Sequence, residues 1–195
     1  AQGCQAFVSN GAGGGIVVVD VCPAPGTEPT IVGWLHSPLR AVSDAVDAPL
    51  GNTACTGNST HLPAAQCAAW VAFHAATGGA KTWSQCATMG TDPCSCKPYG
   101  KFPVCNDDGD SVVQLYLYQV GLQGVLPPEI GAWSDLKSVQ LSGNRLTGEL
   151  PSEMGNWTQL EEFYAYNNAL SGSVPVSVAQ WTHLRVFVVF NNALT

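Results

Sequence analysis

The sequence predicts an α/β solenoid closed at its front by a disulfide-bonded helical cap. Three observations predict it. A 24-residue repeat runs from Val112 to Thr195, all eight cysteines fall before residue 106, and one strong helix signal lies just upstream of the repeat.

The repeat is legible when rows are started at Val112, Leu136, Leu160 and Leu184. Column four then holds Leu115, Val139, Phe163 and Phe187, and column six holds Leu117, Leu141, Ala165 and Val189. Column eleven is leucine throughout: Leu122, Leu146, Leu170 and Leu194. Apolar residues two apart, with polar or aromatic ones mostly between them, are the period of a short strand. Column nine places Asn144, Asn168 and Asn192 where the chain must bend, and an amide side chain can hydrogen-bond backbone groups there. Glycine in column thirteen (Gly124, Gly148, Gly172) and proline in column sixteen (Pro127, Pro151, Pro175) leave no room for a long helix on the return path. Trp133, Trp157 and Trp181 complete the pattern in column twenty-two and are expected to stack as a ladder in the convex side of the core. One row cannot bury its apolar face alone, but stacked rows share a continuous core.

These rows resemble the plant-type leucine-rich repeat, L-x-x-L-x-L-x-x-N-x-L-x-G-x-[IL]-P. The resemblance implies a right-handed superhelix with a parallel concave sheet and short helical turns on its convex side. Val120 departs from it by replacing the first asparagine, and Ala179 by replacing the glycine of column twenty.

Upstream, Pro63 to Gly79 reads as a helix, with Pro63 near its start, Cys67, Trp70, Val71 and His74 on one face, and Gly78-Gly79 as its stop. The following Trp83, Cys86, Asp92-Pro-Cys94-Ser-Cys96 and Cys105 are similar to the N-terminal cap of plant receptor ectodomains and polygalacturonase-inhibiting proteins. Physically, such a cap covers the apolar end of the first row. The resemblance implies that one of Cys94 and Cys96 pairs with Cys105 and the other with Cys67. That leaves Cys55 for Cys86 and Cys4 for Cys22.

The expected organisation is therefore an N-terminal extension over 1–54, a cap over 55–111 and repeats over 112–195. Within the extension, Ile16 to Val21 reads as a strand and Pro23 to Pro29 as a turn-rich linker.

Composition excludes two function classes. Acidic residues outnumber basic ones 14 to 7, giving a net charge of −7. Nucleic-acid and anionic-membrane binding both need the opposite balance. The longest apolar run, Cys67 to Phe73, is far below the roughly 20 residues of a membrane-spanning helix. An even number of cysteines without a C-x-x-C pair reads as disulfides in an oxidising compartment. A start at Ala1-Gln2 fits a mature secreted chain. Two sequons, Asn58-Ser-Thr and Asn156-Trp-Thr, are candidate glycosylation sites on that route. An extracellular location is expected. The sequence stops at Thr195, halfway through the fourth row, which reads as part of a longer chain ahead of a subunit whose open end meets a partner.

No motif carries catalysis. The Gly11–Gly15 run lacks the Gly-Lys-Ser/Thr of a phosphate loop. Asn106-Asp-Asp-Gly-Asp110 lacks the bidentate glutamate of a calcium loop and reads as a solvated turn. The four histidines are scattered, and no nucleophile elbow is present. We expect no enzyme activity, no metal and no cofactor.

The strand columns that face away from the core hold Gln114, Tyr116, Tyr118 and Gln119, then Ser138, Gln140, Ser142 and Gly143, then Glu162, Tyr164, Tyr166 and Asn167, then Val186, Val188, Phe190 and Asn191. All are expected to project into solvent. Aromatic side chains exposed on one sheet suit an interface. The candidate binding residues are Tyr116, Tyr118, Gln140, Tyr164, Tyr166, Val188 and Phe190. The reading is an extracellular interaction module that binds a protein or glycan through this face. Its rival is a structural subunit of a matrix, wall or filament, in which the Val-rich arm adds a strand to a neighbouring subunit. Inhibition of a wall-degrading hydrolase is implied by the resemblance alone.

Overall fold

A computed structural model describes residues 55–100 and 104–195, together with the backbones of two strands, β1 (Ala6–Ser9) and β2 (Ile16–Val19). The proposed Cys4–Cys22 pair and the linker lie outside the described residues. The repeats form the stacked rungs expected of them. Their first strands are β3 (Gln114–Tyr116), β5 (Ser138–Gln140), β7 (Glu162–Tyr164) and β9 (Val186–Val188). They pair in parallel, one row to the next, with Leu115, Val139, Phe163 and Phe187 in register. A second parallel sheet flanks the first and is made of β4 (Gln123–Val125), β6 (Arg145–Gly148), β8 (Ala169–Gly172) and β10 (Ala193–Leu194). Each of the first three rows returns through a 3₁₀ turn that begins just after its proline.

The core is one stripe of apolar side chains that runs from the cap through all the rows. Two ladders hold the rows together. In the first, each tryptophan indole donates to a backbone carbonyl of the element before it: Trp133 to Gln66 (3.1 Å), Trp157 to Ile130 (2.8 Å) and Trp181 to Met154 (2.8 Å). All three rings are buried, and Trp157 and Trp181 stack at 6.0 Å. In the second, each asparagine donates to column-six carbonyls of its own and the preceding row. Its Oδ1 accepts a column-eleven amide from the preceding row. Val120 has no preceding row to bond and is instead fully buried.

In the cap, α1 (Ala64–Ala76) begins after Pro63, as expected, and Gly78 ends it in the left-handed region (φ +79°). The chain then re-enters a short turn of helix, α2 (Gly79–Thr82), where the sequence suggested only a stop. The buried face of α1 is wider than expected, because Gln66, Ala69 and Phe73 join Cys67, Trp70 and His74, whereas Val71 sits at its margin. Gln66 was not anticipated as a core residue; its Oε1 accepts the amide of Val112, tying the helix to the first row.

Three disulfides lock the cap: Cys55–Cys67, Cys86–Cys96 and Cys94–Cys105. Cys105 takes one of the two expected partners, but the other pairings differ. Cys94 and Cys96 flank a 3₁₀ turn (Pro93–Ser95), and Cys94 faces Cys105 while Cys96 meets Cys86. Cys67 is reached instead by Cys55, because Thr56 hydrogen-bonds Thr91 and folds its segment back beside the helix start.

Two titrating groups make the cap acid-sensitive. His74 is buried, donates from Nε2 to the Ala87 carbonyl (3.0 Å) and meets the Trp83 ring edge-on. Desolvation by burial depresses its pKa below 6.5. The folded state therefore binds fewer protons than the unfolded one. Stability is full above about pH 6.5 and is lost as the pH falls toward the depressed folded value. Asp92 follows at lower pH. Burial works to raise its pKa, but hydrogen bonds from Ser59, Ser95 and the Asn58 amide outweigh this and hold the carboxyl below its usual value. Denaturant midpoints measured at pH 7.5 and 5.5 are expected to fall for the wild type and to stay nearly level for His74→Gln. A wild-type curve that is flat over that interval rules the assignment out.

The valine-rich arm also finds a different partner from the one expected. β2 pairs in parallel with β9 of its own chain, and β1 pairs antiparallel with β2. A sheet edge offers unpaired backbone donors and acceptors, and here the chain itself supplies the strand.

Candidate binding surface

Parallel registration turns columns into contiguous rows of side chains. Tyr116, Gln140, Tyr164 and Val188 lie in register across the four strands, with Gln114, Ser138, Glu162 and Val186 beside them. Tyr118, Tyr166 and Phe190 continue the face two residues on. All seven candidate residues are half-buried on this one sheet face.

The aromatic side chains form two walls. Tyr166 stacks on Phe190 at 4.8 Å with an interplanar angle of 12°. At the cap end, Tyr99 meets Tyr116 edge-on at 6.1 Å, and its hydroxyl donates to the Tyr118 carbonyl. Between the walls, the second row contributes only Ser138, Gln140 and Gly143, so the surface is low there. The Gln140 side chain accepts the Ser142 amide at 3.1 Å. Glu162 is the one charged side chain among the sixteen face positions named above. Burial raises the pKa of Tyr164, with Glu162 and Tyr166 adding to it, and burial raises that of Tyr99. Both hydroxyls are protonated at neutral pH; that of Tyr99 is given to the Tyr118 carbonyl, and that of Tyr164 is able to donate to a partner.

Three features of this surface depart from expectation or were missed. Ser142 is not exposed but fully buried, and its Oγ has no hydrogen-bond partner among the described residues. Gln119, Gly143, Asn167 and Asn191, in column eight, all take positive φ. They are the bend itself rather than outward strand positions, which is why glycine and amide residues gather there. Tyr99 belongs to the cap, outside the repeat, and no spacing rule pointed to it.

Asn58 and Asn156 are both exposed, and the Asn58 amide donates to Ser95 Oγ at 3.1 Å. Asn106 closes the acidic turn on itself, donating to Asp110 and accepting the amides of Asp110 and Ser111. Among the described residues no cluster of three or more metal-ligating side chains occurs, and no helix is long and apolar enough to cross a membrane.

Comparison with known proteins adds a family. A Leucine Rich Repeat family model matches residues 135–157, the second row and its turn. The matched segment is a leucine-rich repeat, and the stacked rows form a solenoid of that fold. Among solved structures, this leucine-rich-repeat chain is similar to PEPR1 in the PEPR1–AtPEP1 crystal structure, with 25% identity and a TM-score of 0.56 over 66% of the chain. It spans only 18% of the length of that neighbour. The leucine-rich-repeat ectodomain of the receptor kinase SOBIR1 from Arabidopsis thaliana shares the fold at 24% identity, with a TM-score of 0.53, 68% of this chain and 70% of that one covered. No curated protein sequence matches.

Proposed function

We propose that this leucine-rich-repeat protein is an extracellular interaction module that binds a polypeptide across its concave sheet, in the low channel between its two aromatic walls. The arrangement of those walls is the observation that carries the reading. Tyrosine gives large contact area at low entropic cost and keeps a polar tip, which is why it concentrates at protein interfaces. The rings of Tyr166 and Phe190 already cover one another face to face. The ring edges and the Tyr166 hydroxyl stay open to a partner, and hydroxyls on a nearly uncharged face can pair with the donors and acceptors of a peptide backbone. Likeness to PEPR1, crystallised with AtPEP1, supports a binding role. Three disulfides and two exposed sequons support a location outside the cell.

The test replaces Tyr116, Tyr118, Tyr164 and Tyr166 together with Ser. Interface tyrosines of this kind contribute about 2 kcal/mol each when central. Polypeptides captured by the wild-type chain from extracellular extracts are therefore expected to be lost by the variant, whose thermal midpoint stays within a few degrees. Equal capture by both proteins removes the concave face from consideration.

A further inference from the structure

A second surface, away from the concave face, carries its own chemistry. Where the end of α1 and the turn of α2 meet the flanking sheet, a recess of about 780 Å³ opens to solvent. Strand β4 is pinned to the cap there by the Gln123 amide, which donates to the Thr77 carbonyl at 3.0 Å. Its walls include Lys81 from the cap side and Gln123, Arg145 and Thr147 from the sheet. Gln123 and Arg145 are register partners on adjacent strands, so their side chains stand together on one side of the sheet.

No carboxylate lines this recess, in a chain with twice as many acidic as basic residues. The carboxylate of Glu149, close by on the same row, lies against Gly172 of the next row. Among the described residues the ion pair present joins Arg185 to Glu161, leaving Lys81 and Arg145 without an acidic partner. Three of the carbonyls at the end of α1 are also committed. Phe73 accepts from Thr77, Ala75 from Gly78, and Thr77 from Gln123 and the Trp83 indole. They carry a partial negative charge of about one half, against two full positive charges. Thr147 is spoken for as well, its hydroxyl donating to Gly124 at 3.1 Å. His74 also lines the recess, but its Nε2 donates to the Ala87 carbonyl, so a guanidinium fork, an ammonium and a primary amide are the groups left to take a ligand.

We infer that this recess binds a small, multiply charged oxyanion, a phosphate- or carboxylate-bearing molecule, through Lys81, Gln123 and Arg145. An arginine fork takes two oxygens of one such group, and the ammonium opposite supplies a second charge. The site is independent of the concave face, so each can fail without the other.

The experiment titrates the isotopically labelled chain with inorganic phosphate and, separately, with citrate, at ionic strength matched with sodium chloride. Saturable amide shifts around Gly78, Gln123 and Arg145 are expected with at least one probe, and the stronger probe identifies the anion class. Lys81→Ser with Arg145→Ser is expected to weaken that binding by about tenfold or more. Lys137→Ser, an exposed lysine elsewhere, leaves it unchanged. All three positions are exposed, so folding is unaffected. Absence of saturable binding by both probes, or binding that the double variant retains, overturns the assignment.

Discussion

Trp157→Ala is expected to remove about 4 kcal/mol of stability, close to the whole stability of a marginal domain. Two losses combine. The ring is fully buried between Phe163 and Trp181, so its removal leaves a cavity that rigid neighbours fill poorly. Its indole also donates to the Ile130 carbonyl in the preceding row at 2.8 Å, and losing that bond leaves the carbonyl only the longer bond from the Trp133 amide at 3.2 Å. Trp157→Phe separates the two, because it keeps most of the packing and loses only the hydrogen bond; about 1–2 kcal/mol is expected. In a stacked array, stability is a sum of row terms and interface terms. Loosening the second row from the first, through the lost hydrogen bond, and from the third, through the lost stacking, should therefore broaden the urea transition as well as shift its midpoint. Val176→Ser provides the contrast: at 93% exposed, it should change stability by no more than about 0.5 kcal/mol. A Trp157→Ala midpoint no lower than that of Val176→Ser would mean that the ladder does not couple the rows.

The periodic half of this molecule was open to reading because its structure is itself periodic. A column of identical residues can only mean a repeated environment, and the apolar, asparagine, proline and tryptophan columns all found theirs. What was missed is aperiodic, or depends on neighbouring rows. Ser142 stands in the same column as Tyr118, Tyr166 and Phe190, yet it is buried where they are not. Only the size of its neighbours distinguishes it. Tyr99 reaches the concave face from a loop with no repeat partner. The cysteine pairing was set by how Cys55 and Cys86 are carried back toward α1 and the 3₁₀ turn, which spacing does not encode. Column twenty shows the reverse case. A Cβ on Gly131 or Gly155 would lie under 3 Å from Glu153 or Ser177 in the following row, whereas Ala179 is exposed. That departure, visible as an oddity in the sequence, becomes a statement about which faces are packed.

Asn144→Leu tests whether the bends are held by hydrogen bonds or by shape. Leucine has the same branched outline as asparagine with bulkier methyl groups, so no cavity forms. The amide, however, has four strong partners. Its Nδ2 donates to the Leu117 and Leu141 carbonyls at 2.8 Å, and its Oδ1 accepts the Gly121 and Leu122 amides at 3.0 Å. The Leu141 carbonyl keeps its bond from Asn168 and the exposed Gly121 amide can recruit water, but the Leu117 carbonyl and the Leu122 amide are left unpaired at about 1–3 kcal/mol each, so a total near 4 kcal/mol is expected. Asn144→Asp sharpens the test. Its carboxylate can still accept the two amides but confronts two carbonyls, which raises its folded pKa above the usual 3.9 or so. The protonated acid can donate one hydrogen bond. The variant's stability relative to Asn144→Leu should then be greatest below about pH 4 and decline as pH rises through the folded value. Val120→Asn completes the set. It restores the repeat pattern at the one row where no preceding row offers the asparagine its partners, and it should destabilise. Asparagine stabilises this solenoid only where a row lies on either side of the amide, and a stabilising Val120→Asn would show that the side chain works within its own bend instead.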